Sequence, residues 1–251
     1  MTPGPRHFLD IAPLSKANAR AILDEAHRRK AARAGWPKAT PDEDRPLAGH
    51  ALAMIFQKNS TRTRVSFDIA MRQLGGAPVV MSSADTQLGR GETVEDTARV
   101  LSRMVDAVMI RANNHQDVLN FAAASDVPVI NGLTDISHPC QILADIMTIE
   151  ERLGAIEDKT VAWIGDGNNV CASFVHAAEK LRFKLRIATP AAYAPKSQEI
   201  AAARAAGADV NASNDARAAA TGADVVVTDT WVSMGDADKD ARMAAFPAFA
   251  V

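Results

Sequence analysis

Cysteine is nearly absent from this chain of 251 residues: Cys140 and Cys171 are the only two. Two cysteines cannot build a disulfide framework, so a reducing, cytoplasmic setting is the default expectation. An excess of charge of one sign is also missing. Lys and Arg number 28 against 30 Asp and Glu, a formal net charge of -2. That balance removes the electrostatic case for a general nucleic-acid binder, although it leaves room for a local arginine cluster. Long hydrophobic runs are lacking as well. The longest is Ala51–Phe56, far below the roughly 20 residues that a membrane-spanning helix needs. Asp10 interrupts the apolar stretch near the start, and no small-residue cleavage pattern follows, so no secretory signal is expected. There is no internal repeat and no low-complexity tract. With 47% hydrophobic and 23% charged residues, neither disorder nor a fibrous repeat fits. At roughly 150 residues per domain, the length suggests one large domain or two small ones.

What is present is an alternation. A helical segment rich in Ala, Glu, Arg and Lys covers Asn18–Arg33 and ends at Gly35, Pro37 and Pro41. Short apolar runs follow at Ala51–Phe56, Val79–Met81, Ala107–Ile110, Val127–Ile130, Thr160–Ile164, Leu185–Ala188 and Asp224–Thr228. Helical compositions lie between them, at Arg64–Leu74, Thr93–Met104, Gln116–Ala124, Gln141–Leu153, Ser173–Leu181 and Ser197–Ala205. Strand and helix in alternation predict parallel sheets with crossover helices. We read an α/β chain of two doubly wound domains, residues 1–142 and 143–251, divided in the helix after Pro139. Ligands of such sheets sit at the carboxyl ends of strands, and the four notable motifs all lie at strand-to-helix junctions.

The first motif is Ser60-Thr61-Arg62-Thr63-Arg64. A strand, a tight polar loop and a helix N-terminus make an anion site, because unpaired N–H groups and the positive end of the helix dipole face the ligand. Ser60, Thr61 and Thr63 add hydroxyl donors, and Arg62 adds a planar fork suited to phosphate oxygens. Capping alone needs neither three hydroxyls nor two arginines. The second motif is Ser137-His138-Pro139-Cys140-Gln141. Pro139 at the first helical position leaves His138 as the cap and Gln141 on the next turn. A histidine before a helix is by itself an ordinary cap. The third, Gly165-Asp166-Gly167-Asn168-Asn169, invites a dinucleotide-binding reading, but Val170 stands where the last glycine belongs. No acidic residue ends the next strand, so nicotinamide binding is not expected. The fourth, Asp229-Thr230-Trp231-Val232-Ser233-Met234-Gly235, offers a carboxylate for an ammonium group and a hydroxyl for a carboxylate. Alone it is an ordinary turn.

Together the four segments resemble the transcarbamylase family. The Ser-Thr-Arg-Thr-Arg loop and the His-Pro-x-Gln helix start are shared across it. The Gly-Asp-Gly-Asn-Asn turn and the Asp-x-x-x-Ser-Met-Gly loop resemble its ornithine branch. The likeness runs from about Phe8 to Phe246. It implies transfer of the carbamoyl group of carbamoyl phosphate to the side-chain amine of L-ornithine, giving L-citrulline and phosphate, as in arginine biosynthesis. By the same resemblance, Ser60, Thr61, Arg62 and Thr63 would bind the phosphate. Arg111 and His138 would hold the carbonyl oxygen, and Gln141 would accept from the carbamoyl amide. Arg62, Arg111 and His138 would thus carry catalysis. Gln87 matches a loop that reaches a neighbouring subunit's site. Asn169, Asp229, Ser233 and Met234 match positions that hold ornithine. The family implies a homotrimer or a multiple of it, with no metal and no organic cofactor, and no nucleic-acid or membrane partner.

Fixed donors at the carbonyl oxygen and the departing phosphate are what this acyl transfer needs, and losing one such donor typically costs about 10²–10³ in rate. The substrate amine is the nucleophile, so positioning supplies much of the acceleration. Cys140 and Cys171 are expected to be packing residues. Gln57 stands where many members have Glu. The run Phe246–Val251 is apolar, and we expect it to enter a strand. The family's downstream His-Cys-Leu-Pro motif is not in the sequence. The expectation is therefore a shortened C-terminal part, with a complete carbamoyl phosphate half and poor turnover by a chain ended there. The alternatives are a transcarbamylase using another amine, such as putrescine, or a phosphate-ligand-binding chain without catalysis.

Overall fold

The computed structural model describes residues 6–58, 60–82, 91–232 and 237–251. They group into two compact units. One holds His27–Cys140 with the segment up to Asp10; the other holds Ile11–Ala26 and Gln141–Val251.

The first unit is built on strands β1 (Ala51–Phe56), β2 (Ala77–Ser82), β3 (Ala107–Arg111) and β4 (Val129–Leu133). All pair in parallel, in the order β2-β1-β3-β4. Helices α2 (Thr61–Gln73), α3 (Val94–Leu101) and α4 (His115–Ala124) connect them. The strand β1 is apolar throughout because both its faces are covered. Ala53 and Ile55 join Val108, Ile110 and Val129 against Ala98, Leu101, Val118 and Phe121 of α3 and α4. Leu52, Met54 and Phe56 turn the other way and pack with Met109 and with Met71 of α2. The period of two assigns alternate residues to opposite faces. Phe8 pairs with Ile130 on the outer side of β4, which covers part of that edge.

The second unit repeats the plan with β5 (Thr160–Ile164), β6 (Lys184–Ala188), β7 (Val210–Ser213) and β8 (Val225–Val227). They are parallel in the order β7-β6-β5-β8. Its helices are α6 (Asn169–Leu181), α7 (Ser197–Ala205), α8 (Ala216–Ala220) and α9 (Lys239–Ala245). On one face Ala162, Ile164 and Ala188 pack with Ala219, Phe246 and Phe249. Trp163 is fully buried and lies 5.6 Å from the Phe174 ring of α6. Helix α5 (Pro139–Leu153) starts in the first unit and continues in the second.

Helix α1 (Lys16–Ala32) is likewise divided. In the first unit, Arg29 and Arg33 both donate to the buried Asp42 carboxylate, at 2.5 Å each. In the second, Arg20 makes a forked pair with Glu150 at 2.6 and 2.9 Å.

Two expectations are corrected. Phe246–Val251 does not enter a strand: Pro247–Phe249 is a 3-10 turn, and Phe246 and Phe249 are buried against the sheet core. Helix α2 starts at Thr61 rather than Arg64, because the Ser60 cap makes the hydroxyl and arginine residues its first turn.

Both sheets reverse direction at their first strand. β1 lies between β2 and β3, and β5 lies between β6 and β8. At such a switch point the connections leave in opposite directions and open a crevice at the carboxyl ends of the strands. The loops after β1 and β3 flank the first crevice, and those after β5 and β8 flank the second.

Candidate functional site

At the first crevice, Ser60 is the N-cap of α2. Its backbone is extended, at φ -156°, and its Oγ accepts from the Thr63 N–H at 3.3 Å. The Ser60 O–H proton remains available for a ligand. The N–H groups of Thr61 and Arg62, in the first turn, have no acceptor within the helix. Arg62 is exposed, as a ligand-facing cation at a loop must be.

Arg111 ends β3, where it pairs in register with Phe56 of β1. Its Nη1 donates to Thr63 Oγ1 at 3.2 Å, while its Nε is buried and has no hydrogen-bond partner. Burial lowers the Arg111 pKa, and the nearby Arg62 charge lowers it further. Arginine stays protonated throughout the working range of pH regardless. Two cations held together with donor capacity left over make a site for an anion. Gln57 fixes the strand end from the other side: its N–H donates to the Arg111 carbonyl at 2.9 Å, and its Oε1 accepts from the Asn113 N–H at 2.8 Å.

His138 stands immediately before α5, after a turn that is itself locked. The Thr134 N–H donates to the Ser137 carbonyl at 2.9 Å, and the Ser137 N–H to Thr134 Oγ1 at 3.2 Å. His115 adds a 2.9 Å contact to the same hydroxyl. Burial, with the Arg111 charge adding to it, lowers the His138 pKa to about 4. The imidazole is therefore neutral at pH 7 and can hydrogen-bond a carbonyl oxygen without adding a third cation. Gln141, in the first turn of α5, donates from Nε2 to Asp145 Oδ1 at 2.7 Å.

In the second unit, Asn168 caps α6, its Oδ1 accepting from the N–H groups of Val170 and Cys171 at 3.0 and 3.2 Å. Its Nδ2 donates to Asp229 Oδ2 at 3.2 Å, joining the loops that flank the switch point. Asn169 begins the helix. The second glycine of this turn serves the protein's own chain crossing. A Cβ on Gly167 would stand 2.3 Å from the Pro195 nitrogen and 2.6 Å from the Tyr193 oxygen.

Asp166 is paired with Arg242 at 2.7 Å. Arg242 also binds Asp238 at 2.9 Å and the Trp231 carbonyl at 3.3 Å, and it lies over the Tyr193 ring at 4.6 Å. That network ties Trp231 and the start of α9 to the turn after β5. An open cavity of about 580 Å³ has Asp229, Trp231 and Lys239 among its lining residues.

Thus Ser60, Thr61, Arg62, Thr63, Arg111 and His138 belong to the first unit, and Asn169 and Asp229 to the second. Gln87, Ser233 and Met234 lie outside the described residues. Cys140 donates weakly to the Asn131 carbonyl at 3.4 Å, and burial pushes its thiol up to about 12. Cys171 is completely buried and its pKa is raised well above the ordinary thiol range. Neither can act as a nucleophile at neutral pH. The roles of Asn168, Asp145 and the Thr134–Ser137 turn do not follow from the sequence motifs, although Asn168 and Ser137 lie within them. The i,i+4 spacing of Gln141 and Asp145 on a predicted helix was the available signal for one of them. Among the described residues no group of His, Cys, Asp and Glu is arranged to hold a metal ion, and no helix is long and apolar enough to cross a membrane.

Comparison with known proteins finds two family matches. Residues 6–151 match the aspartate/ornithine carbamoyltransferase, carbamoyl-P binding domain, and residues 157–251 match the Asp/Orn binding domain of the same family. The ornithine carbamoyltransferase of Caulobacter vibrioides is 61% identical over 247 residues, which span 98% of this chain and 79% of that protein. That of Rhizorhabdus wittichii is 58% identical over 246 residues, 98% of this chain and 80% of its own length. Among solved structures, the ornithine carbamoyltransferase from Pyrococcus furiosus aligns with a TM-score of 0.90 at 44% identity, covering 99% of this chain and 79% of that one.

Proposed function

Because this chain belongs to the aspartate/ornithine carbamoyltransferase family, we infer its reaction from the family and its roles from the geometry. It is a transferase that moves the carbamoyl group of carbamoyl phosphate to the side-chain amine of L-ornithine, giving L-citrulline and phosphate. The amine nitrogen bonds to the carbamoyl carbon, the carbon–oxygen bond to phosphate breaks, and the amine gives up a proton. Negative charge builds on the carbonyl oxygen and on the leaving phosphate.

The first-turn N–H groups of α2, the hydroxyls of Ser60, Thr61 and Thr63, and Arg62 hold the phosphate. Arg111 and neutral His138 hold the carbonyl oxygen. These donors are fixed in advance by Thr63, Gln57 and the Thr134–Ser137 turn, which is the condition for stabilising developing charge without reorganisation. Gln141 accepts from the carbamoyl amide. Asn169, Asp229, Ser233 and Met234 hold ornithine, and Gln87 serves a neighbouring subunit. On this reading residues 1–142 carry carbamoyl phosphate and residues 143–251 carry ornithine. The enzyme works in the cytoplasm as a homotrimer or a multiple of trimers, in arginine biosynthesis. The observation that carries the assignment of roles is Arg111 beside Arg62 and Thr63, with donor capacity unspent.

The test is product identity. With labelled carbamoyl phosphate and equal ornithine, putrescine and aspartate, labelled citrulline predominates. Predominance of carbamoylputrescine would point to the sister activity and overturn ornithine as the substrate.

A further inference from the structure

Gln141 can serve the carbamoyl group in two ways, depending on which end of its amide faces the ligand. The oxygen accepts from the carbamoyl N–H₂; the nitrogen would only donate. Rotation of the amide by half a turn exchanges the two, and nothing in a free glutamine prefers either.

The structure breaks that symmetry. Gln141 Nε2 is bound to Asp145 Oδ1 at 2.7 Å, one helical turn further along α5. An ionised carboxylate accepts only, so the amide nitrogen is drawn to Asp145 and the amide oxygen is turned away from it. Helix geometry places residues four apart on one face, and hence keeps the two side chains in register.

We propose that Asp145 is a positioning residue, which fixes the Gln141 amide with its oxygen toward the carbamoyl amino group and so selects carbamoyl phosphate over phosphate alone. This rests on the role assigned to Gln141 above. The position of Asp145 is consistent with such a task. It is half-buried, and burial pushes its pKa up to about 6, the hydrogen bond from Gln141 working against that rise and the charge of Asp229 adding to it. Gln141 itself is exposed, as a ligand-facing amide can be, and the partial burial lies on the Asp145 side of the bond. At pH 7 the carboxylate remains mainly ionised, as the orientation of the amide requires.

The experiment compares two probes, carbamoyl phosphate and inorganic phosphate, by calorimetric titration of the full chain. Phosphate has no amino group, so its affinity reports the anion site alone and serves as the check on folding. Asp145→Leu removes the acceptor while keeping the branched shape of the side chain. It should weaken carbamoyl phosphate by about 3- to 10-fold, the range for one hydrogen bond, and change phosphate less than two-fold. Asp145→Asn, which can either accept from or donate to Gln141, should fall between wild type and Asp145→Leu. Adding Asp145→Leu to Gln141→Ala should cost nothing further for carbamoyl phosphate.

If Gln141→Ala itself leaves the ratio of the two affinities unchanged, the role of Gln141 is wrong and the proposal falls with it. If Gln141→Ala changes the ratio and Asp145→Leu does not, the positioning role alone is refuted. Equal weakening of both probes by Asp145→Leu likewise refutes it, since it marks a general effect on the fold. Where Asp145→Leu does not fold, Asp145→Ser takes its place under the same criteria.

Discussion

Arg111 at the end of β3 donates to the Thr63 hydroxyl in the first turn of α2, at 3.2 Å. This bond ties the end of β3 to the start of α2, beside the bonds of Gln57 to Arg111 and Asn113. It leaves the Arg111 Nε buried and without a partner, and it leaves the guanidinium under the repulsion of Arg62. Such a cation is held for a ligand at some cost to the ligand-free protein.

Replacing Arg111 by Met should therefore separate function from stability. Carbamoyl phosphate affinity should drop by about 10- to 100-fold, the range for hydrogen bonds to charged groups. The melting temperature without ligand should stay level or rise, because a desolvated, repelled charge has been removed. Calorimetric titration and thermal denaturation of the same preparation check both halves. A lowered melting temperature with unchanged affinity would mean that Arg111 is structural.

Two groups near the first motifs contribute to the pH dependence of stability with opposite signs. The His138 pKa is lowered to about 4 in the folded protein, against roughly 6.5 when unfolded. Between those values the unfolded chain holds a proton that the native one does not, so stability falls as pH drops through this window. Asp145 is raised to about 6, against roughly 3.9 unfolded. The native state then holds the extra proton, and stability rises as pH drops from about 6 toward 4. The two largely offset each other in wild type. Asp145→Asn should expose the His138 contribution as a steeper acid loss, by up to about 1.4 kcal/mol per pH unit. Urea denaturation at pH 4.5, 5.5 and 6.5 measures it, and parallel curves for the two proteins would contradict it.

Arg242→Met should be costly in the second unit. It leaves Asp166, whose side chain is 10% exposed, as a buried charge without its cation. Breaking such a pair typically costs about 3–5 kcal/mol. The double variant with Asp166→Asn should recover part of the loss. If Arg242→Met alone unfolds at the wild-type urea midpoint, the network does not tie Trp231 and α9 to the turn after β5.

Much of this was legible in the sequence, for physical reasons that can be named. β1 and β5 were placed residue for residue, because strands buried on both faces appear as unbroken apolar runs. β7 was missed because Val-Asn-Ala-Ser lies at the sheet edge with only Val210 buried. α8 and α9, at five and seven residues, are too short to show a helical period in composition. The phosphate loop announced itself through residue types that capping does not require. The cap mattered for its boundary: Ser60 lets the helix start at Thr61, three residues before the expected start at Arg64. Asn168 and Asp145 were hidden for another reason. Each acts through a partner, Asp229 and Gln141, and such pairings appear only once the chain is folded.

On the proposed function, the first turn of α2, with Arg62 exposed at it, grips the phosphate end of carbamoyl phosphate. The most direct test is calorimetric titration of inorganic phosphate and carbamoyl phosphate into Arg62→Ala, beside wild type of matching circular dichroism. Arg62→Ala should lose at least 10-fold in affinity for both ligands with the melting temperature unchanged, since a substitution at an exposed position in the first turn of α2 costs little stability. Affinities within two-fold of wild type for both ligands would contradict it and place the phosphate elsewhere.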